Sequence, residues 1–489
     1  MKMKNIFKIL GVWSLLALLA TACTDGFEEL NVNPNEPDEV PTSYLLTYAQ
    51  ERMVDRVYEV FDNGRVGMTL AQYWAQNQYT DESRYQYRPG TNNTTWNDMY
   101  TGIFNLQEII RLNEADSATS EAITNNQIAV ARILKAWGFQ YLTDIYGAIP
   151  YEEALNVSED ATPAYTRQQD IYPDLLNELT EAGAQINVDA TGFTSGDLIY
   201  DGDMAKWKKF ANSLKLRVAM RMSDVMPAEA AQAITEAVDA GVFESNADNA
   251  ALQYLTSQPS TNPLYVSYEV DGRQDFSASD VMVEQLQQRN DPRITAYFEP
   301  AEATGTYIGR PFGQTPTNAN ALPATEVSQI NNNILAPDFE GMLMDYAEVE
   351  FILAEAVARG ISLPQNAETY YARGITASMN YWGIDDGAAI AAYIAANPYD
   401  GGNYEQSVGV QKWIALYMQG IQGWSEWRRL DFTGVLKMPV GGPLIDIDQI
   451  PVRRTYPNDE QNLNNENYQA AVGESGTDSF VRKVWWDVN

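Results

Sequence analysis

The chain has 489 residues, 66 acidic against 32 basic side chains for a net charge of −34, one cysteine and no histidine. The missing imidazole excludes Ser-His-Asp and Cys-His catalysis, histidine zinc sites and histidine as a general base. The single cysteine excludes an internal disulfide, and the acidic field disfavours nucleic acid and anionic lipid as partners.

Residues 1–22 begin with Lys2, Lys4 and Lys8, continue through the apolar run Ile9–Ala20, and end in Thr21 and Ala22 before Cys23. A basic start, a short apolar stretch and small residues are the layout of a secretory signal, and the run is too short to span a bilayer. With the cysteine directly after the small residues, the segment reads as a lipobox, although Ala20 stands where the commonest lipobox has Leu. The expected product starts at Cys23, acylated on its sulfur and amino nitrogen. Several acyl chains anchor firmly, because each buried methylene adds about 0.8 kcal/mol. Residues 23–42 then read as the acylated cysteine and an acidic, Asn- and Pro-rich tether. A single helical domain is expected over 43–489.

Helical periodicity begins near Ser43 and covers roughly 43–78, followed by an aromatic and amide-rich loop, Tyr79–Trp96. From Asn126 to Tyr146, Val130, Leu134, Trp137 and Tyr141 share a face; Gly147 and Pro150 end the helix. Residues 168–186 and Lys206–Ser223 are further helices, the last striped by Trp207, Phe210, Leu214 and Val218, with Asp203 suited to its N-terminus. The stretch of about 250–340 is rich in Pro, Gly, Asn and Thr and predicts loops with a few short strands. Helices return at 342–359 (Ala347, Phe351, Ala354, Ala358) and 366–382 (Tyr371, Ile375, Ser378, Trp382). Small residues let this pair approach like a tetratricopeptide hairpin. A helix over about 408–427 carries Trp413, Tyr417, Trp424 and Trp427, and 450–489 is irregular. The fold class is mainly α: tetratricopeptide-like hairpins as a scaffold, a loop-rich region and few short strands. No other stretch is long and apolar enough to cross a membrane.

Several blocks, in order along the chain, resemble one family. They are FEELNVNPNEP (27–37), FQYLTDIYGAIPYEEAL (139–155), DLIYDGDMAKWKKFANSLKLRVAMRMS (197–223), NDPRITAYFEP (290–300), MDYAEVEFILAEAVARG (344–360), YYARGITASMNYW (370–382), QKWIALYMQGIQGWSEWRR (411–429) and IPVRRTYPNDEQNLNNENY (450–468). Together with the lipobox, they resemble the SusD/RagB-like nutrient-binding lipoproteins of Bacteroidetes outer membranes, in particular the second SusD-like branch. The resemblance implies a lipid-anchored protein facing the cell exterior, without enzymatic activity. It also implies partnership with a SusC-like TonB-dependent transporter barrel, over which the lipoprotein acts as a lid during import. The implied ligand is an oligosaccharide, with an oligopeptide as the alternative from the RagB side.

Two patches are candidates for ligand contact. The first holds Asn77, Tyr79, Tyr85 and Trp96, interleaved with Gln78, Asp81, Glu82 and Arg84. Flat rings stack on the apolar faces of sugars, while amides, carboxylates and guanidinium groups take the hydroxyls or peptide groups. The second holds Tyr265, Tyr268, Arg310 and Phe312, together with Arg273 and Tyr307. The competing reading is that these aromatics pack the core. The basic helix 206–222 is expected to neutralise surrounding acids, and Trp424, Trp427, Arg428 and Arg429 to be architectural. Glu355 is placed to pair with Arg359 one turn on.

Other classes remain open at this point. A lipid-anchored glycoside hydrolase needs only two carboxylates, and a tetratricopeptide-like scaffold would bind only proteins. No catalytic residue and no cofactor is nominated beyond the lipid on Cys23. Structural calcium fits the acidity, but no D-x-[DN]-x-[DN]-G loop is present, so no metal ligand is nominated.

Overall fold

The computed structural model describes residues 40–155, 162–473 and 477–488. The signal segment, Cys23 and nearly all of the tether lie outside them. From Thr42 the chain packs mostly as consecutive helices, each against the next. The longer ones are α1 (Thr42–Tyr58), α2 (Pro89–Ala115), α3 (Glu121–Tyr146), α4 (Gln168–Gln185), α5 (Met204–Arg221), α6 (Pro227–Ala240), α7 (Asp280–Gln288), α8 (Tyr346–Ala358), α9 (Ala367–Tyr381), α10 (Gly387–Ala396), α11 (Tyr404–Ala415) and α12 (Gly420–Leu430). Helices α1 to α6 pack in sequence order, and α8 packs against both α9 and α11. This is the expected mainly α architecture of helical hairpins.

The strands are short and antiparallel: β1 (Trp74–Gln76) with β5 (Phe276–Ala278), β2 (Ile149–Pro150) with β3 (Tyr165–Thr166), β4 (Ala250–Leu252) with β8 (Gly341–Met344), and β6 (Phe298–Glu299) with β7 (Gln329–Ile330). All but β2 and β3 include a partner from the loop-rich stretch or its edge; β1–β5 ties that stretch to the helical scaffold, β4–β8 joins its two edges and β6–β7 lies within it.

Helical boundaries depart from the periodicity in identifiable ways. The run 43–78 is not one helix: α1 stops at Tyr58, a π-helical turn covers Val60–Gly67, and the chain is extended by Trp74. Gln72 adopts φ 57°, which breaks the run before β1. Helix α2 begins inside the expected loop, with Pro89 at its first position, where its missing N–H costs nothing. The helix expected over 342–359 starts later, after β8, because the Asp345 carboxylate accepts the Glu348 N–H and fixes the N-terminus there. The single helix expected near 408–427 is two, separated at Met418 (φ 75°). The tail contains short helices at Asn458–Leu463 and Asn465–Val472.

The core holds Trp74, Trp207, Trp413, Trp424 and Trp486, all fully buried. Threaded through it is a set of buried ions. Arg217 reaches Glu348 at 2.6 Å; Arg221 contacts Asp144 at 3.1 Å and also Glu426; Arg429 holds Glu355 at 2.5 Å and Glu426 at 2.7 Å; Lys412 lies 3.0 Å from Glu426. Four of the six cations of α5 therefore neutralise neighbouring acids, Lys215 on Glu236 and Lys209 on Glu244 joining Arg217 and Arg221, while Lys206 lies over the Tyr200 ring. Glu355 also pairs with Arg359 at 2.8 Å. Arg428 is clamped between the rings of Trp424 (3.6 Å) and Trp486 (4.6 Å), and burial pushes its pKa down to about 10.

Candidate functional site

The two nominated stretches meet where β1 pairs with β5, Trp74 opposite Ala278 and Gln76 opposite Phe276. Beyond this pairing the Asn77 N–H donates to the Asp275 carbonyl at 2.7 Å. The Asn77 side chain donates to the Gln274 carbonyl at 2.9 Å and accepts from the Ser277 hydroxyl at 2.6 Å. Gln78 donates to the Asp275 carboxylate at 2.7 Å. These bonds hold Tyr79 at φ 55°, a left-handed conformation unfavourable for a tyrosine, with the residue 53% exposed.

Phe61, 42% exposed, comes from the π-helical turn. The Glu59 carboxylate accepts the N–H groups of Phe61 (2.7 Å) and Asp62 (2.5 Å) and starts that turn. Asp62 points inward to Thr95 and Arg454, both at 2.7 Å, so its neighbour Phe61 is left outward. Such π turns occur often at functional sites.

Three guanidinium groups attend the two rings. Arg65 lies 4.4 Å from the Phe61 centroid and 5.9 Å from that of Tyr79; Arg88 lies 5.7 Å from Tyr79 and Arg273 5.6 Å from Phe61. Two buried carboxylates anchor them: Glu82 at 3.2 Å from Arg88 and 3.8 Å from Arg65, and Asp275 at 2.6 Å from Arg273 and 3.5 Å from Arg65. Arg65 is buried, its Nε and Nη1 have no hydrogen-bond partner, and burial pushes its pKa down. Arg88 and Arg273 keep part of their side chains in solvent. The result is a face with two exposed rings and amide and guanidinium donors around them. That chemistry suits stacking and hydrogen bonding to a hydroxyl-rich ligand. Glu82 and Asp275 are occupied by arginines and buried, which leaves neither free to act as an acid or base on a ligand.

Of the nominated residues, the structure brings Asn77 and Tyr79 to this face. Tyr265, in the short helix Pro263–Tyr265, is half-buried. The remaining five are corrected as surface contacts. Tyr85, at φ 68°, turns its ring into the core. Trp96 lies in α2 and packs at 5.0 Å on Tyr100 and 5.2 Å on Tyr146. Tyr268 and Phe312 are buried. Arg310 is buried, bonding the carbonyls of Ala319 and Leu322 at 3.2 and 2.9 Å; with no acid beside it, burial pushes its pKa down to about 10. Loop placement alone would have exposed these groups; the fold instead buries them, Trp96 against rings of the helical scaffold and tail and Arg310 against carbonyls of its own loop-rich stretch. Sequence reasoning missed Phe61 and Arg65 because it assigned them to a continuous helix. The signal was Asn63-Gly64, two weak helix formers in succession beside them.

A cavity of about 690 Å3 lies near the C-terminal tail, lined in part by Tyr146, Tyr165, Tyr456 and Trp485. Of its cations, Arg167 pairs with Asp170 at 3.1 Å, Arg453 with Asp478 at 2.9 Å and Lys483 with Asp487 at 3.2 Å. Among the described residues no group of three or more acidic or cysteine side chains is placed to hold a metal ion, and no helix is long and apolar enough to cross a membrane.

Comparison with known proteins bears on the same chain. The SusD-like_2 family, described as starch-binding associating with outer membrane, matches residues 34–457. A solved chitin-binding protein is 31% identical, with a TM-score of 0.82, covering 92% of this chain and 100% of its own. A SusD homologue from Bacteroides uniformis is 25% identical (TM-score 0.80; 91% and 100% covered). A chitin-binding SusD homologue from Flavobacterium johnsoniae is 25% identical (TM-score 0.78; 91% and 99% covered). No curated protein matches the chain.

Proposed function

This chain belongs to the SusD-like family, and on that premise we propose that it is a non-enzymatic carbohydrate-binding lipoprotein of the outer membrane that captures a nutrient oligosaccharide on the face of Phe61 and Tyr79. The observation that carries this reading is the pair of exposed rings, each backed by arginine and flanked by Asn77 and Gln78. Solvent-exposed aromatics held in place by their neighbours lose little entropy on stacking against a sugar. The family description and the chitin-binding names of two structural relatives support the ligand class. In this reading acyl groups on Cys23 hold the protein to the membrane. It closes as a lid over a SusC-like TonB-dependent barrel, which imports the captured ligand. The locked state of Glu82 and Asp275 argues against a two-carboxylate hydrolase at this face.

Calorimetric titration with N-acetylchitohexaose, maltohexaose and a mixed oligopeptide of similar length tests the ligand class. We expect saturable binding of an oligosaccharide, weakened roughly tenfold by Phe61→Ala or Tyr79→Ala. Binding of the peptide alone would replace the glycan with the oligopeptide alternative. Binding indifferent to both substitutions would sink the assignment of the face. Native mass spectrometry of gently extracted protein tests the partnership: a mass equal to acylated protein plus a large barrel subunit is expected, and a lone chain counts against the lid.

A further inference from the structure

A second cluster of aromatics lies where the end of α9 meets the end of the loop-rich stretch. Phe339, Tyr381 and Trp382 are half-buried and line a cavity of about 360 Å3. The Trp382 and Phe339 rings lie 6.2 Å apart at an interplanar angle of 29°, and Tyr381 meets Trp382 edge-on at 5.3 Å. Tyr297 and Tyr417 pack on Trp382 at 4.8 and 5.8 Å and fix its ring. The rim is polar: Gln253, Asn333 and Asp338 are exposed and Glu340 is half-buried, accepting from Gln253 at 3.0 Å. Among the described residues no lysine or arginine lines the cavity.

Rigid aromatic walls with an amide and carboxylate rim, too small for a protein segment and too polar for lipid, fit one ring of hydroxyl-bearing ligand. The two carboxylates can accept hydrogen bonds from hydroxyl groups but repel an anion. The cavity is also joined to the Tyr79 face by strands. The Ser277 hydroxyl of β5 accepts from Gln329 of β7 at 3.1 Å, and β7 pairs with β6. Ala296, just before β6, and Asn333, just after β7, both line the cavity.

We propose that this cavity is a second carbohydrate subsite, taking an uncharged pyranose ring against Trp382 and Phe339, distinct in charge from the arginine-backed face. The proposal rests on the carbohydrate reading of the chain. The test is 19F NMR of protein labelled with 5-fluorotryptophan, with the Trp382 resonance assigned by its loss in Trp382→Phe. The probes are N-acetylchitohexaose and maltohexaose, beside polygalacturonate fragments of like length. We expect a neutral oligosaccharide to shift the Trp382 resonance saturably, and the acidic fragments to leave it in place. The shift should persist in Tyr79→Ala. Replacing the exposed rim residues by Asn333→Ala with Asp338→Ala should raise its midpoint roughly tenfold, the effect of losing two hydrogen bonds. A neutral oligosaccharide that binds in a Tyr79-dependent way while the Trp382 resonance stays fixed overturns the second subsite and leaves the first standing. A panel that moves no resonance and gives no heat overturns both.

Discussion

Tyr79 and Trp96 come from one aromatic stretch, yet the fold gives the first ring to solvent and the second to the core. Removing them should therefore have opposite consequences. Trp96→Ala takes a ring out of contact with Tyr100, Tyr146, Tyr165 and Tyr456. It should cost about 3–5 kcal/mol in denaturant unfolding. Tyr79→Gly should do the reverse: glycine relieves the left-handed strain, so stability rises by about 1 kcal/mol while ligand affinity falls. A variant that is less stable and binds normally would show that the Tyr79 conformation is not strained. The composition of this stretch was readable as rings and amides in a loop. Which ring faces water was not, because that depends on β1 meeting a partner about two hundred residues away.

At the scale of an element, α8 illustrates how a cap can carry a pH dependence. Asp345 is buried, and burial together with nearby Glu348 pushes its pKa up to about 6, although the Glu348 N–H and Gln419 partly oppose this. A raised carboxyl binds its proton more tightly in the fold than in the unfolded chain. Stability from this group is therefore greatest near pH 4 and is lost as pH rises through 6. Protonated, Asp345 can donate to the otherwise unpartnered Oε1 of Gln419 if that amide flips. Asp345→Asn mimics that form and should gain about 2 kcal/mol at pH 8 and little at pH 4.5, read from paired unfolding curves. Equal gains at both pH values would exclude the mechanism. The apolar stripe of α8 was legible in the sequence, since Ala347, Phe351 and Ala354 recur at helical spacing and all are buried. Its start at Asp345 was not, because the preceding apolar residues Met342–Met344 suit helix and strand alike.

For the whole molecule, the buried ions join helices that are neighbours only in space. Glu426 of α12 serves Arg221 of α5, Lys412 of α11 and Arg429, and this company holds its pKa well below the usual carboxylate range despite burial. Glu355 is lowered in the same way by Arg429. Lowered carboxyls contribute stability that is present above their unfolded pKa and lost as pH falls through the folded value, the opposite sign to Asp345. Glu426→Gln should cost about 3–5 kcal/mol, because three cations then share one anion fewer in the interior. Added salt should restore little of this, since screening reaches buried pairs weakly. A loss below about 1 kcal/mol would mean the cations find other partners. The helical class was legible from stripes such as Trp207, Phe210, Leu214 and Val218. The pairing of their charged neighbours was not, because periodicity records which face is buried and not what lies against it.

That same lattice bears on how the chain reaches its native state. In an ordinary solenoid each hairpin can close on its predecessor as it forms, and order spreads from any starting point. Here Arg221 can meet Asp144 early, but its second acid, Glu426, which Lys412 and Arg429 share, comes only with α12, and Trp486 must then lie over Arg428 and Arg221. Half-built intermediates would hold desolvated charges without counterparts and so gain little from early compaction. Long-range closure of this kind slows the search and ties the hairpins into one cooperative transition.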